Sequence, residues 1–175
     1  MATTYTLISS VTVGAGGASS IDFTSIPSTY TDLVLKLSAR DNRTGTNYTD
    51  DVRLRFNGSS TGYSNKVLYG GGGSAGSFGG SSMDLAYGGY AVGTDGTANT
   101  FGNSEIYIPN YTGSNNKSIS VDGVAESNSS TGVYAALEAG LWGNSAAITS
   151  IALTPVNGTT WLQNSTAYLY GIKNN

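Results

Sequence analysis

Apolar residues recur at every second position along most of this chain, and that period excludes helical folds before any motif is considered. Leu33, Leu35 and Leu37 alternate with Val34, Lys36 and Ser38, and Val52, Leu54 and Phe56 alternate with Arg53, Arg55 and Asn57. Ile106 and Ile108 flank Tyr107, and Ile119 and Val121 stand between Ser118, Ser120 and Asp122. Val133, Ala135, Leu137, Ala139 and Leu141 continue the pattern, followed by Ile151 with Leu153 and by Tyr168, Tyr170 and Ile172. Alternation of this kind describes strands with one face on a core and the other in water, as in antiparallel sheets. Gly14-Ala15-Gly16-Gly17, Asn57-Gly58, Asp95-Gly96, Asp122-Gly123 and Asn157-Gly158 punctuate the runs with turn residues. The expected strands fall near 5–13, 19–25, 32–41, 51–57, 82–92, 104–109, 117–127, 132–142 and 148–156, with a tenth near 160–172. Short strands between frequent turns make an all-β, antiparallel two-sheet sandwich, with a jelly roll as the expected topology. The expected core holds Leu33, Leu35, Leu37, Val52, Leu54, Phe56, Ile106, Ile108, Leu137, Leu153 and Tyr170.

With 175 residues, the chain has the size of a single domain, expected over 1–175. Two segments break the alternation. Gly70 to Ser82 reads GGGGSAGSFGGSS, expected as a long flexible loop that a partner can order, and 43–50 is expected as a polar loop.

The missing residues narrow the chemistry further. The chain has no Cys and no His. It therefore lacks a thiol nucleophile, a Ser-His-Asp triad and imidazole or thiolate metal ligands. Charged residues are 11% and the net charge is -3, without a basic stripe, which disfavours nucleic acid as a partner. Arg53 and Arg55 share one strand face and are expected as solvated charges. No apolar run is long enough for a membrane span, and no signal peptide is expected at the start. The Gly-rich segment is followed by no GK[ST] and no helix, so it is not a phosphate loop.

Paired carboxylates are the remaining catalytic option, as in glycoside hydrolysis. The candidate pairs are Asp50 with Asp51, Asp41 with Asp50, and Glu126 with Glu138. On an extended run Asp50 and Asp51 point to opposite faces. The favoured reading is solvated charge, so the chain is expected not to be an enzyme, with no catalytic, cofactor-binding or metal-ligating residues assigned. Trp142, Trp161 and the twelve Tyr are aromatics that can serve an interface or bind sugar, the interface being favoured.

The wording of the chain adds a family signal. YTLISSVTVGAGGASSIDFTSIPSTYTDLVLKLSAR (Tyr5 to Arg40), RLRFNGSSTGYS (Arg53 to Ser64), EIYIPNYTGSNNKSIS (Glu105 to Ser120), LWGNSAAITSIALTP (Leu141 to Pro155) and AYLYGIKN (Ala167 to Asn174) run in order across nearly the whole chain. Together they resemble a family of small β-rich virion structural proteins of tailed bacteriophages, notably those of aquatic bacteria. The resemblance implies a virion structural component and carries no catalytic motif; the expected location is the particle exterior. It leaves three readings. One is a capsid decoration (cement) protein that contacts the major capsid protein. Another is a tail-fibre tip or receptor-binding module that recognises the host surface. The third is a small depolymerase, which the residues disfavour. A homotrimer is the expectation at family level. Scarce Lys and Pro, four and three in the chain, leave sheet edges unguarded and favour covering by partners.

Overall fold

The computed structural model describes residues 4–45, 48–128 and 132–173. Among these residues there are twelve strands and no helix, arranged as an eight-stranded and a four-stranded antiparallel sheet. The strands are β1 (Tyr5–Thr12), β2 (Ile21–Phe23), β3 (Asp32–Ala39), β4 (Thr49–Phe56), β5 (Tyr63–Gly71) and β6 (Ser74–Met83). They continue as β7 (Ala86–Val92), β8 (Gly102–Ile108), β9 (Lys117–Ala125), β10 (Tyr134–Trp142), β11 (Ile151–Pro155) and β12 (Thr166–Ile172).

The large sheet runs β1-β12-β3-β8-β9-β10-β5-β6 and the small sheet β2-β11-β4-β7. The pairs β1/β2, β3/β4, β7/β8 and β11/β12 each place one strand in each sheet. The hairpins β5–β6 and β9–β10 stay in the large sheet and extend it on one side.

The core forms where the alternation requires it. Leu33, Leu35, Leu37, Val52, Leu54, Phe56, Ile106, Ile108 and Leu153 are all buried in one hydrophobic cluster fed by both sheets. Fully burying a side chain of this kind contributes about 1.5–3 kcal/mol, so the shared cluster is what fastens the sheets together. Phe56, Tyr63 and Trp142 pack ring to ring within it, and the Phe56 N–H donates to the Tyr63 hydroxyl at 2.8 Å. The Trp161 indole donates to the Leu153 carbonyl at 3.0 Å. Both tryptophans are buried, so neither serves a surface, against the expectation from sequence.

Two buried cations organise loops. Arg40 donates to the carbonyls of Thr94, Gly96, Thr97 and Thr100 and so shapes the turn between β7 and β8. Lys117 donates to the Gly113 and Asn115 carbonyls at 2.7 and 2.6 Å, closing the loop before β9.

Three further expectations need correction. Leu137 is 61% exposed. Strand β10 turns Trp142 and Glu138 inward and leaves Ala135, Leu137, Ala139 and Leu141 on the outer face. The large aromatic at Trp142 and the Tyr87 N–H that donates to the Glu138 carboxyl set the register, and the smaller apolar set faces out. Tyr170 also lies on the outer face, half-buried against Tyr5, because Ala167 and Leu169 take the inner positions of β12.

Gly70 to Ser82 is not a loop. It contains the end of β5, a tight turn and nearly all of β6, paired in register from Gly71↔Ser74 to Lys66↔Gly79. Glycine suits these positions because aromatic rings lie across them. A Cβ on Gly76 would stand 2.6 Å from the Tyr69 hydroxyl oxygen, and one on Gly71 would stand 2.7 Å from the Tyr134 ring. In the polar segment 43–50, residues 46–47 lie outside the described residues, and β4 begins at Thr49.

Candidate functional site

A cleft of about 240 Å³ opens where the β5–β6–β10 extension meets the start of β4 and the end of β7. One wall is aromatic. Tyr69 sits 6.0 Å from both Phe78 and Tyr134, and Tyr134 stacks on Tyr90 at 5.2 Å. Phe78 meets Tyr87 edge-on at 5.5 Å. The other wall is polar: Arg43, Thr49, Asp50, Asp51 and Asn157.

The backbone explains why these residues converge. Asp51 pairs with Tyr90 and Arg53 with Tyr87, so Val52 alone opposes both Gly88 and Gly89. This is a bulge in β7, and Gly89 adopts φ 96° to make it. Gly89 also passes within close reach of Ser104 and Gly123 on the large sheet, where no side chain would fit. The bulge re-aims Tyr90 toward the extension, and the stack with Tyr134 follows.

Asp50 is the anchor of the polar wall. Its carboxylate accepts hydrogen bonds from the Asn157 backbone (2.9 Å) and side chain (2.6 Å), from the Gly158 N–H (2.7 Å) and from Asp51 N (2.9 Å). Arg43 adds an ion pair at 3.3 Å and donates to the Thr49 carbonyl at 2.6 Å. Burial pushes the Asp50 carboxyl up. The proton on Asp41 and the N–H groups of Gly158 and Asn157 outweigh burial and hold it below its ordinary value. Asp41 moves the other way: burial first, then the neighbouring Asp50 charge, raise it well above the carboxylate range. Asp41 Oδ2 is buried and receives no hydrogen bond. The two carboxyls are thus driven apart, Asp41 toward its neutral form and Asp50 toward its ionised form.

Asp51 and Glu138 form a second acidic set beneath the rings, against Val67, Tyr87 and Val121. Burial, followed by the Asp50 charge, pushes Asp51 up to about 6. Burial pushes Glu138 up to about 8, although its Oε1 accepts the Tyr87 N–H at 3.2 Å.

The structure therefore brings together Asp41 with Asp50, and Asp50 with Asp51. The last two reach the same cleft because it opens around the start of β4, where both faces of the strand border it. Glu126 is elsewhere: it is exposed and caps the turn at Asn128 N (2.6 Å), so it does not pair with Glu138. Arg55 is paired with Asp84 at 2.7 Å, at one edge of the small sheet. No group of three acidic side chains arranged to hold a metal ion occurs among the described residues. The aromatic wall was not visible in the sequence. Its one signal was Phe78, a lone aromatic in a Gly/Ser run.

No family model matches this chain, and no curated protein matches it. Among solved structures it is similar to the binding domain of botulinum neurotoxin serotype D/C VPI 5993, with a TM-score of 0.24 and 15% identity over 83% of this chain and 34% of that one. A mutant of HCR D/C VPI 5995 gives a TM-score of 0.28 and 14% identity over 89% and 38% of the two chains. A structure of botulinum neurotoxin type C gives 0.24 and 13% over 83% and 33%. The chain thus spans about a third of the length of the structures it matches.

Proposed function

We propose that this chain is a non-catalytic structural protein of a tailed-bacteriophage virion, a capsid decoration (cement) protein that stabilises the shell through protein–protein contacts on the particle exterior. The observation that carries this reading is the outer face of the large sheet. Leu68 and Leu137 are 58% and 61% exposed and stand directly opposite each other across β5 and β10. Ala135, Ala139 and Leu141 lengthen the same strip along β10. A contiguous apolar strip facing water is the usual mark of a protein contact. Strands β1 and β6 are open edges of the large sheet, which neighbouring copies in a homotrimer or the major capsid protein would cover.

The strand order supports a jelly roll, an architecture used by capsid and lectin domains. In this reading β1-β12-β3-β8 packs on β2-β11-β4-β7, and β5–β6 and β9–β10 are insertions that widen the first sheet.

A second reading is favoured by the aromatic cleft: a tail-fibre tip module that recognises the host surface. Cosedimentation of the purified protein with emptied capsids separates the two. The decoration reading expects saturable binding that Leu137→Asp abolishes without loss of fold. Binding to host cells and not to capsids moves the protein to the tail. Reducing sugar released from host polysaccharide, and lost in Asp51→Asn, would make it a depolymerase and overturn the non-catalytic assignment.

A further inference from the structure

We infer that the cleft between the start of β4 and the β5–β6–β10 extension is a saccharide-binding site, shaped for one neutral sugar residue at a time. The inference holds wherever on a particle the chain sits and does not rest on the decoration reading.

A sugar ring offers two kinds of surface, apolar C–H patches on its faces and hydroxyls around its rim. The cleft offers the complement of both. Tyr69 and Phe78 present ring surface on one side, and Asp51 and the side-chain carbonyl of the exposed Asn157 present acceptors on the other, with Asn157 held in place by its amide hydrogen bond to the buried Asp50. A concave site with an aromatic lining and a few convergent polar groups is the usual form of a small-ligand site. Its volume of about 240 Å³ lies just under the usual range for such sites, which suits a terminal or side-branch residue better than a long chain held end to end.

Phe78 is the most telling residue. It lies on the edge strand β6, within the glycine- and serine-rich run 74–82, and remains 37% exposed. A phenyl ring held half in water on such a strand has no large core role. Tyr69 and Tyr87 fix its position from two sides at 6.0 and 5.5 Å. The glycines of β6 keep the strand thin enough for the rings to lie across it.

Charge narrows the class. The cation on the polar wall, Arg43, is engaged by Asp50 and by the Thr49 carbonyl. Two carboxyls against one engaged guanidinium leave the wall acidic, which repels uronates, sialic acids and phosphates. A caged organic cation fits less well. Tyr90 and Tyr134 cover each other's faces at 22° from parallel, so those faces do not converge on a ligand.

The test is ligand-observed NMR on the full-length chain. The neutral probes are glucose, galactose, N-acetylglucosamine and their trisaccharides. The charged probes are galacturonate, N-acetylneuraminate and trimethyllysine. The expected result is saturation transfer to at least one neutral probe. Phe78→Ala and Asp51→Asn should each weaken that binding about tenfold or more, with the thermal transition retained. Lys36→Ala, on the outer face, should leave it unchanged. No transfer to any neutral probe, a preference for the acidic sugars or for trimethyllysine, or insensitivity to both cleft substitutions overturns the inference.

Discussion

Tyr90 and Tyr134 stack with their ring centroids 5.2 Å apart and their planes 22° from parallel, although one belongs to the edge strand of the small sheet and the other to the extension of the large sheet. The contact joins the sheets outside the main core and builds one wall of the cleft. An aromatic pair contributes about 0.5–1.5 kcal/mol beyond its buried area. It forms only because β7 carries an extra residue at Gly88–Gly89, which turns Tyr90 toward Tyr134.

That geometry makes Gly89→Ala a severe change. The position has φ 96°, and an added Cβ would overlap Ser104 Oγ on the facing sheet. Backbone strain and overpacking each cost about 1–3 kcal/mol, so the expected loss in urea denaturation is at least about 2 kcal/mol. A loss within experimental error of zero would show that β7 does not approach β8 and β9 as described.

The two faces of the large sheet predict opposite outcomes for the same chemistry. Leu35→Ala, at a fully buried position, should cost about 2–5 kcal/mol. Leu137→Ala, on the outer face, should stay within about 0.5 kcal/mol in the isolated protein. Equal losses at both sites would place Leu137 in the core.

Buried acids set the pH dependence. Glu138 is raised to about 8 and Asp51 to about 6, and Asp41 is raised with them. In the unfolded chain these groups lose their protons near their ordinary values. Between those values and the raised ones the folded state binds more protons, so stability falls as pH rises from about 5 to about 8. Asp50 acts in the opposite sense: its contribution is present above the ordinary carboxylate value and is lost as pH falls through its lowered one. Thermal scans should therefore show Tm declining from mildly acidic to mildly alkaline pH. Glu138→Gln, which keeps an acceptor for the Tyr87 N–H, should flatten the upper part of that decline. A Tm that rises toward pH 8 contradicts the assignment.

The strands of the main sandwich were legible because their residues obey the simple rule. In β3 and β4 every expected inward Leu, Val and Phe is buried, and the residues between them are polar or half-exposed except Val34, which is buried as well. The rule fails in β10, where both faces carry apolar residues. Trp142 sits in the opposite phase to Leu137, and that was the available signal that the larger side chain would take the core. The β6 strand was hidden by composition: Gly and Ser have weak strand preference, and only pairing with Tyr69, Leu68 and Val67 makes Gly76, Ser77 and Phe78 extended. The cleft was hidden for a topological reason. Asp51 and Tyr90 meet across a bulge, and Phe78 and Tyr134 arrive from the separate β5–β6 and β9–β10 hairpins, so no local spacing records them. The Asp41–Asp50 couple was named as one pair among three, and what distinguishes it is burial, which spacing does not encode.

The central claim is a place on the exterior of a phage shell, and a density map of the intact virion tests it most directly. The account predicts copies of this sandwich on the capsid surface, in threefold clusters, with the Leu68–Leu137 strip against a protein neighbour. Copies confined to the tail tip, or a particle with no density for this chain, would contradict it.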